Sequence, residues 1–234
     1  MNAPLPTHES ERLAALKSYQ VLDTAGEQSY DDITALAAHI CEVPIAMISL
    51  VDEARQWFKS KVGLEQEETS REVAFCAHAI LQHEPFIVRD AVKDSRFSEN
   101  PLVTGEPHIR FYAGFPLVNP EGLALGTLCV VDREPRQLST GQDKAMQALS
   151  RQVMALLEFR RVSARLADAL EHVKTLQALL PICAWCNRIR DDKGYWDEVE
   201  SYLHKNAGVD FSDGICPDCL NKVRPDERHR MVGS

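Results

Sequence analysis

Two C-x-x-C pairs near the end of the chain constrain its folding more than any other feature of the sequence. Cys183 is paired with Cys186 and Cys216 with Cys219, and the two-residue spacer lets a tight turn direct both thiolates of a pair toward one ion. The stretch between the pairs, residues 187–215, is longer than in a simple zinc ribbon and leaves room for a helix. The pattern predicts a tetrahedral zinc site that holds a small C-terminal module together.

A structural metal is the simplest interpretation, because a module of some 40 residues has too little core to fold alone. An iron–sulfur cluster also takes four cysteine ligands, and a redox-active dithiol is a further alternative. A c-type haem is disfavoured, since Asn187 and Leu220 stand where a histidine would follow C-x-x-C. The residues expected to form a small core around the metal are Tyr195, Trp196, Tyr202, Leu203 and Phe211.

The composition excludes several classes of protein. The chain has 234 residues and a formal net charge of −9, which is unlike the basic surface of a general nucleic-acid binder. No apolar run approaches the length of a membrane span, and residues 1–10 do not have the pattern of a signal peptide. The cysteines number seven, which is odd, so a disulfide scaffold is not expected. These features predict a soluble, reduced protein of the cytoplasm, with no membrane contact.

Changes in hydrophobic period divide the first 135 residues into helices and strands. Helical spacing covers residues 9–19, 30–41 and 72–82, and in the second of these it places Ile33, Leu36, Ala37 and Ile40 on one face. Strands are predicted at residues 44–52, 55–63, 86–90, 109–118 and 123–132, the first of them buried on both faces. Alternation from residue 109 onward places one set of side chains on a common face: Ile109, Phe111, Ala113, Phe115 and Leu117.

One long helix is predicted for residues 139–180, because no proline and, after Gly141, no glycine interrupts the pattern. Its apolar residues step by three and four, with a phase slip near Arg160 and Ser163: Met146, Leu149, Val153 and Leu156, then Leu166, Leu170 and Val173. A helix this long favours packing against a second copy, so we expect a homodimer through residues 142–180. The alternative is a helix folded back on its own domain. Pro181 ends it, because proline cannot continue the hydrogen-bonded ladder.

Five segments in the first 160 residues resemble, in the expected order, those of GAF domains in bacterial signalling proteins. They read ERLAALKSYQVLDT, PIAMISLVDEARQWFKSKVGL, REVAFCAHAIL, DAVKDSRFSENPLVTGEPHIRFYAGFPL and LGTLCVVDREPRQL. The resemblance implies an α+β fold, with a central antiparallel sheet of about five or six strands, flanking helices and a ligand-sized cavity. It also implies a sensory or regulatory module. Residues 179–223 are similar to a cysteine-rich segment at the ends of bacterial sensor proteins that contain PAS or GAF domains.

The chain is therefore expected to have five parts. These are an N-terminal helix and lead-in (1–26), a GAF core (27–136), a long connecting helix (137–180), a four-cysteine module (181–223) and a polar tail (224–234).

Six residues are ligand-binding candidates, because they lie in or beside the segments that would border the cavity: Cys76, His78, Asp90, Asn100, Arg110 and Tyr112. The ligand stays open, since cyclic nucleotides leave little signature and solvated loop residues look the same. On a helix, Cys76 and His78 point about 200° apart and cannot act as nucleophile and base. Cys41 and Cys129 lie in apolar runs and are interpreted as core residues.

The preferred interpretation is a signalling sensor or adaptor without enzymatic activity, whose zinc module docks a partner protein. Motifs of P-loop NTPases, kinases, serine hydrolases and zinc proteases are absent from the sequence. One alternative is a redox or metal sensor that uses an iron–sulfur cluster or a reversible dithiol at the four C-terminal cysteines. Another is an enzyme similar to free methionine sulfoxide reductase, although residues 91–108 lack the cysteine that those GAF-like enzymes require.

Overall fold

The computed structural model describes residues 3–177, 181–191, 193–212 and 214–222. It divides into two units, Met1–Asp168 and Ala169–Ser234. The helices of the first unit are α1 (Glu9–Ser18), α2 (Gln28–Cys41), α3 (Phe75–Ala79) and α4 (Pro101–Thr104). Its strands are β1 (Ile45–Val51), β2 (Arg55–Val62), β3 (Glu68–Ser70), β4 (Phe86–Val88), β5 (Phe111–Val118) and β6 (Ala124–Asp132). The long helix α5 (Thr140–Gln177) begins in this unit and ends in the second.

The six strands form one antiparallel sheet in the order β3-β2-β1-β6-β5-β4, which confirms the predicted α+β fold. Every residue of the central strands β1 and β6 is buried, because apolar layers cover both faces of the sheet. Along β1, Ala46 and Ile48 join the cluster that contains α1, α2 and α5, whereas Ile45 and Met47 join the cluster that contains α3. A nearly continuous apolar run is the pattern that such a doubly covered strand requires.

The two central strands approach each other closely at Gly126. Leu50 on β1 pairs with Gly126 on β6. A Cβ atom at this position would lie 1.9 Å from the carbonyl oxygen of Ser49 and 2.9 Å from the Cα of Leu50. Both neighbours are backbone atoms of a strand held on either side, so glycine is required here.

Several local predictions differ from the structure. The helix predicted over residues 72–82 is a 3-10 turn (Arg71–Val73) followed by the short helix α3, because Ala74 between them is extended. Ile109 lies before β5 and packs in the cluster that contains α3, not with Phe111. Leu36 on α2 is exposed, since the buried stripe of that helix passes through Ile33 and Ala37.

Two short elements, β3 and α4, were not predicted. The predicted helix end at residues 178–180 and the polar tail at 224–234 lie outside the described residues.

The second unit, taken by itself, contains a two-stranded hairpin of β7 (Ile189–Arg190) and β8 (Trp196–Asp197), followed by α6 (Val199–Ala207) and α7 (Pro217–Lys222). Helix α6 lies between the cysteine pairs, where the sequence left room for one. The predicted aromatic core is wrong for Tyr195, Trp196 and Phe211, which are exposed. Elements this short cannot cover them, and Ile189 is the one fully buried apolar residue among those described in this unit.

No helix in the described part of the chain combines the length and apolarity needed to cross a membrane.

Candidate functional site

A cavity of about 450 Å³ lies on the face of the sheet that α3 covers. Most of its wall is apolar, with contributions from β1, β2, α3, β5 and β6: Met47, Phe58, Phe75, Tyr112 and Val131. Charged residues also line it, namely Glu65, Glu106 and Arg133. This size and this mixture of many apolar and few polar groups are typical of small-molecule sites.

Two polar atoms in the cavity wall have no hydrogen-bond partner among the residues that the structure describes. Gln56 on β2 and Thr69 on β3 are directly paired across the two strands, so their side chains share a face. The Gln56 residue is only 5% exposed, and neither its Oε1 nor the Oγ1 of Thr69 takes part in a hydrogen bond. A buried polar atom without a partner costs roughly 1–3 kcal/mol. These two atoms are therefore candidate hydrogen-bonding groups for a molecule in the cavity.

Sequence reasoning missed Gln56, although a signal was present. Gln56 lies two residues before Phe58 on β2, and both side chains face the cavity. A glutamine on the apolar side of an alternating strand is the kind of exception that marks a binding position.

Cys76 on α3 lines the same cavity although it is almost completely buried. Its Sγ accepts hydrogen bonds from the hydroxyl of Tyr112 at 3.2 Å and from the hydroxyl of Thr127 at 3.1 Å. The Sγ of Cys129 on β6 lies 3.8 Å away. Sequence reasoning assigned Cys129 only to the core and did not anticipate this pairing.

The two thiols differ in acidity. Burial by itself would raise the pKa of Cys76, but hydrogen bonds, first from Cys129 and then from surrounding hydroxyls, lower that pKa to about 7. Burial, followed by the effect of neighbouring Cys76, raises the pKa of Cys129 well above its usual value. Cys76 is therefore the more acidic of the two thiols.

Of the six candidate ligand residues, Cys76 and Tyr112 line the cavity, and the other four lie outside its lining. Asp90 and Arg110 form an ion pair, with 2.9 Å between Oδ1 and Nε. Asn100 caps α4, where its Oδ1 accepts from the backbone N–H of Leu102 at 2.9 Å.

His78 packs its ring edge-on against Phe97 and nearly parallel to Phe86. Neither of these contacts involves Cys76.

The backbone of each C-terminal cysteine pair favours thiolate at its first cysteine: Cys183 precedes a turn, and Cys216 precedes α7. The pKa of Cys183 is lowered by hydrogen bonds from backbone N–H groups, first that of Cys186, and then by the side chain of Cys186. The pKa of Cys216 is lowered in the same way by the backbone N–H and then the side chain of Cys219. Thiolate is the form of cysteine that binds a metal.

The two pairs do not converge on a common point. Within the described ranges, no group of three or more His, Cys, Asp or Glu side chains is close enough to hold a metal ion. All seven cysteines are free of disulfide bonds. The four-thiolate site thus remains a prediction, for which the structure provides two separate half-sites.

Comparison with known protein sequences identifies a family and a relative. The sequence model of the GAF domain family matches residues 26–157. A cyclic di-GMP phosphodiesterase of Pseudomonas aeruginosa is 45% identical over 159 residues, which are 68% of this chain and 27% of that protein. The chain thus spans little more than a quarter of that relative's length.

Solved GAF domains share the fold of the first unit. The blue-light absorbing form of the PixJ GAF domain of Thermosynechococcus elongatus matches with a TM-score of 0.52 at 19% identity, over 68% of this chain and 96% of that one. The GAF domain of an Acinetobacter phosphoenolpyruvate-protein phosphotransferase gives a TM-score of 0.50 at 18% identity, over 68% and 97% of the two chains. At such identities the likeness is one of fold.

Proposed function

The chain belongs to the GAF domain family, and we propose that it is a non-enzymatic signalling sensor or adaptor that binds a small molecule in its cavity. The observation that carries this proposal is the pair of unpartnered atoms, Gln56 Oε1 and Thr69 Oγ1, in a largely apolar cavity of about 450 Å³. A buried polar group without a hydrogen-bond partner lowers the stability of a folded protein. A ligand that forms the missing hydrogen bond restores that stability.

The lining favours a flat, mostly apolar molecule with one polar edge. Phe58, Phe75 and Tyr112 offer aromatic surface. Gln56 Oε1 requires a hydrogen-bond donor, and the Thr69 hydroxyl can donate or accept. An edge with an N–H group beside a carbonyl or ring nitrogen meets both requirements, as in nucleobases, pterins and flavins.

In the ligand-free protein, Gln56→Leu is expected to raise the free energy of unfolding by about 1 kcal/mol, because leucine removes a buried amide oxygen without a partner. Urea unfolding measures this change. Gln137→Leu, at an exposed loop position, is the matched control and is expected to leave stability unchanged. A less stable Gln56→Leu variant would mean that the amide is already satisfied in the free protein.

A thermal-shift screen with nucleosides, cyclic nucleotides, pterins and flavins tests the sensor proposal itself. At least one class is expected to stabilise the wild-type protein and to bind about tenfold more weakly to Gln56→Leu. The proposal is contradicted if no class stabilises the protein, or if wild type and variant respond equally.

The proposed sensor is a dimer through the second half of α5. In the first half, Met146, Val153 and Leu157 pack into the core of their own domain. Beyond them, α5 carries four apolar residues that are 54–73% exposed and that step by three, four and four: Phe159, Val162, Leu166 and Leu170. This spacing is close to that of the a and d positions of a coiled coil, which supports a second copy as the partner.

Leu166→Glu is expected to weaken dimerisation by about 100-fold or more, because it would place a carboxylate without a partner in an apolar interface. Sedimentation equilibrium measures the dissociation constant. Ala167→Glu adds the same charge at the next exposed position, off the apolar stripe, and should leave the dimer intact. A wild-type protein that is monomeric at high concentration, or equal weakening by both variants, would rule out this interface.

The C-terminal unit completes the proposal as a zinc-stapled surface for docking a partner protein. Four thiolates would hold zinc in a closed tetrahedral site, which stabilises structure and leaves no open position for catalysis. The proposal is supported by the backbone hydrogen bonds that favour thiolate at Cys183 and Cys216. Trp185 is 96% exposed, and exposed tryptophans are frequent anchors of protein interfaces.

A further inference from the structure

We infer that Cys76 and Cys129 form a disulfide switch inside the GAF domain that responds to hydroperoxides reaching Cys76 through the cavity. This inference goes beyond the proposed function, because it requires neither a bound ligand nor a metal at the C-terminal cysteines. It assigns a chemical role to Cys129, which the sequence alone places in the core, and a redox role to Cys76, which the sequence offers only as a ligand candidate.

The geometry of the pair fits bond formation. The two sulfurs are 3.8 Å apart, and a disulfide requires about 2.05 Å, so the thiols have to approach by less than 2 Å. Cys129 lies on the central strand β6, which is fixed on both sides, whereas Cys76 lies on the five-residue helix α3, which begins after the extended residue Ala74. The short helix is the part that can shift.

The surroundings give the two cysteines different roles. Cys76 lines the cavity and can be reached by a small neutral oxidant, whereas Cys129 lies behind it and outside the lining. The hydroxyl groups of Tyr112 and Thr127 both donate to the Cys76 sulfur, which stabilises its thiolate. Cys129 is the less acidic thiol, and its Sγ lies 3.7 Å from the carbonyl oxygen of Met47. Cys76 is thus the attacking sulfur, and Cys129 is the resolving one.

The reaction proceeds in two balanced steps. The Cys76 thiolate attacks one oxygen of the peroxide, the O–O bond breaks, and the departing alkoxide or hydroxide takes up a proton, so that Cys76 becomes a sulfenic acid. The Cys129 thiol then attacks the sulfur of Cys76, the S–O bond breaks, and hydroxide leaves as water with the proton of Cys129. Two thiols lose two electrons in total, and one peroxide is reduced.

Oxidation also changes the cavity wall. A disulfide sulfur is a poorer acceptor than a thiolate, so the hydroxyl groups of Tyr112 and Thr127 lose their charged partner. Because Tyr112, Met47 and Cys76 all line the cavity, the redox state alters the surface that a ligand would meet. This last consequence rests on the proposed ligand function, whereas the disulfide itself does not.

Peptide mapping of the full-length protein tests the inference. The protein is treated with a small excess of hydrogen peroxide, alkylated under denaturing conditions and digested with trypsin without reduction. Cys76 lies in the tryptic peptide 72–89 and Cys129 in 111–133. The expected result is a disulfide-linked pair of these two peptides, which a reductant separates. The alkylated form of each peptide is expected to disappear from the oxidised sample. Cys41 in peptide 18–55 is the internal control, because burial raises its pKa to about 11, and it should stay alkylated.

Two serine variants separate the roles. In Cys129→Ser, the sulfenic acid on Cys76 is expected to persist and to be trapped by dimedone. In Cys76→Ser, Cys129 is expected to remain reduced. The inference is overturned if peptides 72–89 and 111–133 stay alkylated while the C-terminal cysteines oxidise, or if Cys129 oxidises equally without Cys76. Neither readout uses a ligand, so failure of the ligand screen and failure of the switch are distinguishable.

Discussion

Gly126→Ala is expected to destabilise the GAF domain by about 4 kcal/mol or more. The new Cβ atom would lie 1.9 Å from the backbone oxygen of Ser49, and relief requires β1 and β6 to separate at Leu50. These are the two central strands of a six-stranded sheet with buried residues on both faces, so neither can move without disturbing both cores. Urea unfolding followed by far-UV circular dichroism measures the loss.

Gly141→Ala is the matched control for this substitution. Gly141 lies near the start of α5, where an added Cβ meets only Ser139 Oγ at 3.8 Å. Alanine has a higher helix propensity than glycine, so the free energy of unfolding of this variant is expected to rise by about 0.5–1 kcal/mol. If Gly126→Ala were as stable as Gly141→Ala, the pairing of Leu50 with Gly126 would be wrong.

The sheet could be predicted from the sequence because its strongest signals are local. The apolar runs at residues 44–52 and 123–132 became β1 and β6, since burial on both faces leaves no polar position in a strand. The three-residue strand β3 and the four-residue helix α4 carry no such periodicity. Strand β3 exists because it pairs with β2, and α4 begins at the capping side chain of Asn100.

The sequence predicts the extent of the long helix, but not which of its apolar residues are buried in the domain and which are exposed. The phase slip near Arg160 separates a half that packs into its own domain from a half whose apolar residues are exposed. Arg160 itself binds Glu27, with 2.7 Å between Nη1 and Oε1, and donates to the carbonyl of Gln20. A helical period gives the spacing of apolar side chains, whereas their partners depend on the fold.

The candidate site was only partly accessible to sequence reasoning, because its contacts join distant residues. Cys76 and Cys129 are 53 residues apart, and only the packing of α3 against β6 brings their sulfurs together. Asp90 and Arg110 were candidates as polar residues near the cavity, yet they bind each other at the ends of β4 and β5. A sequence does not distinguish a polar group reserved for a ligand from one that is satisfied by a distant partner.

Cys216→Ser is expected to lower the zinc affinity of the protein by about 100-fold or more and to loosen its C-terminal unit. A fourth thiolate would be replaced by a hydroxyl, and the described residues of this unit contain a single buried apolar side chain, Ile189, that could hold it together without metal. Elemental analysis of the protein, purified without chelator, is expected to give one zinc per chain for wild type. Limited proteolysis is expected to cleave the variant within residues 181–222 and to leave residues 26–157 intact.

Cys41→Ser is the matched control, since it removes a thiol buried in the GAF domain and should retain zinc. Iron with acid-labile sulfide in anaerobically purified protein would show that the four cysteines bind an iron–sulfur cluster and not zinc. A metal-free protein whose C-terminal unit resists protease as well as the zinc-loaded form would exclude a structural metal of either kind. Because the backbone of each pair already favours thiolate at its first cysteine, zinc binding would have only to bring the two pairs together, and the proteolysis pattern would report that step.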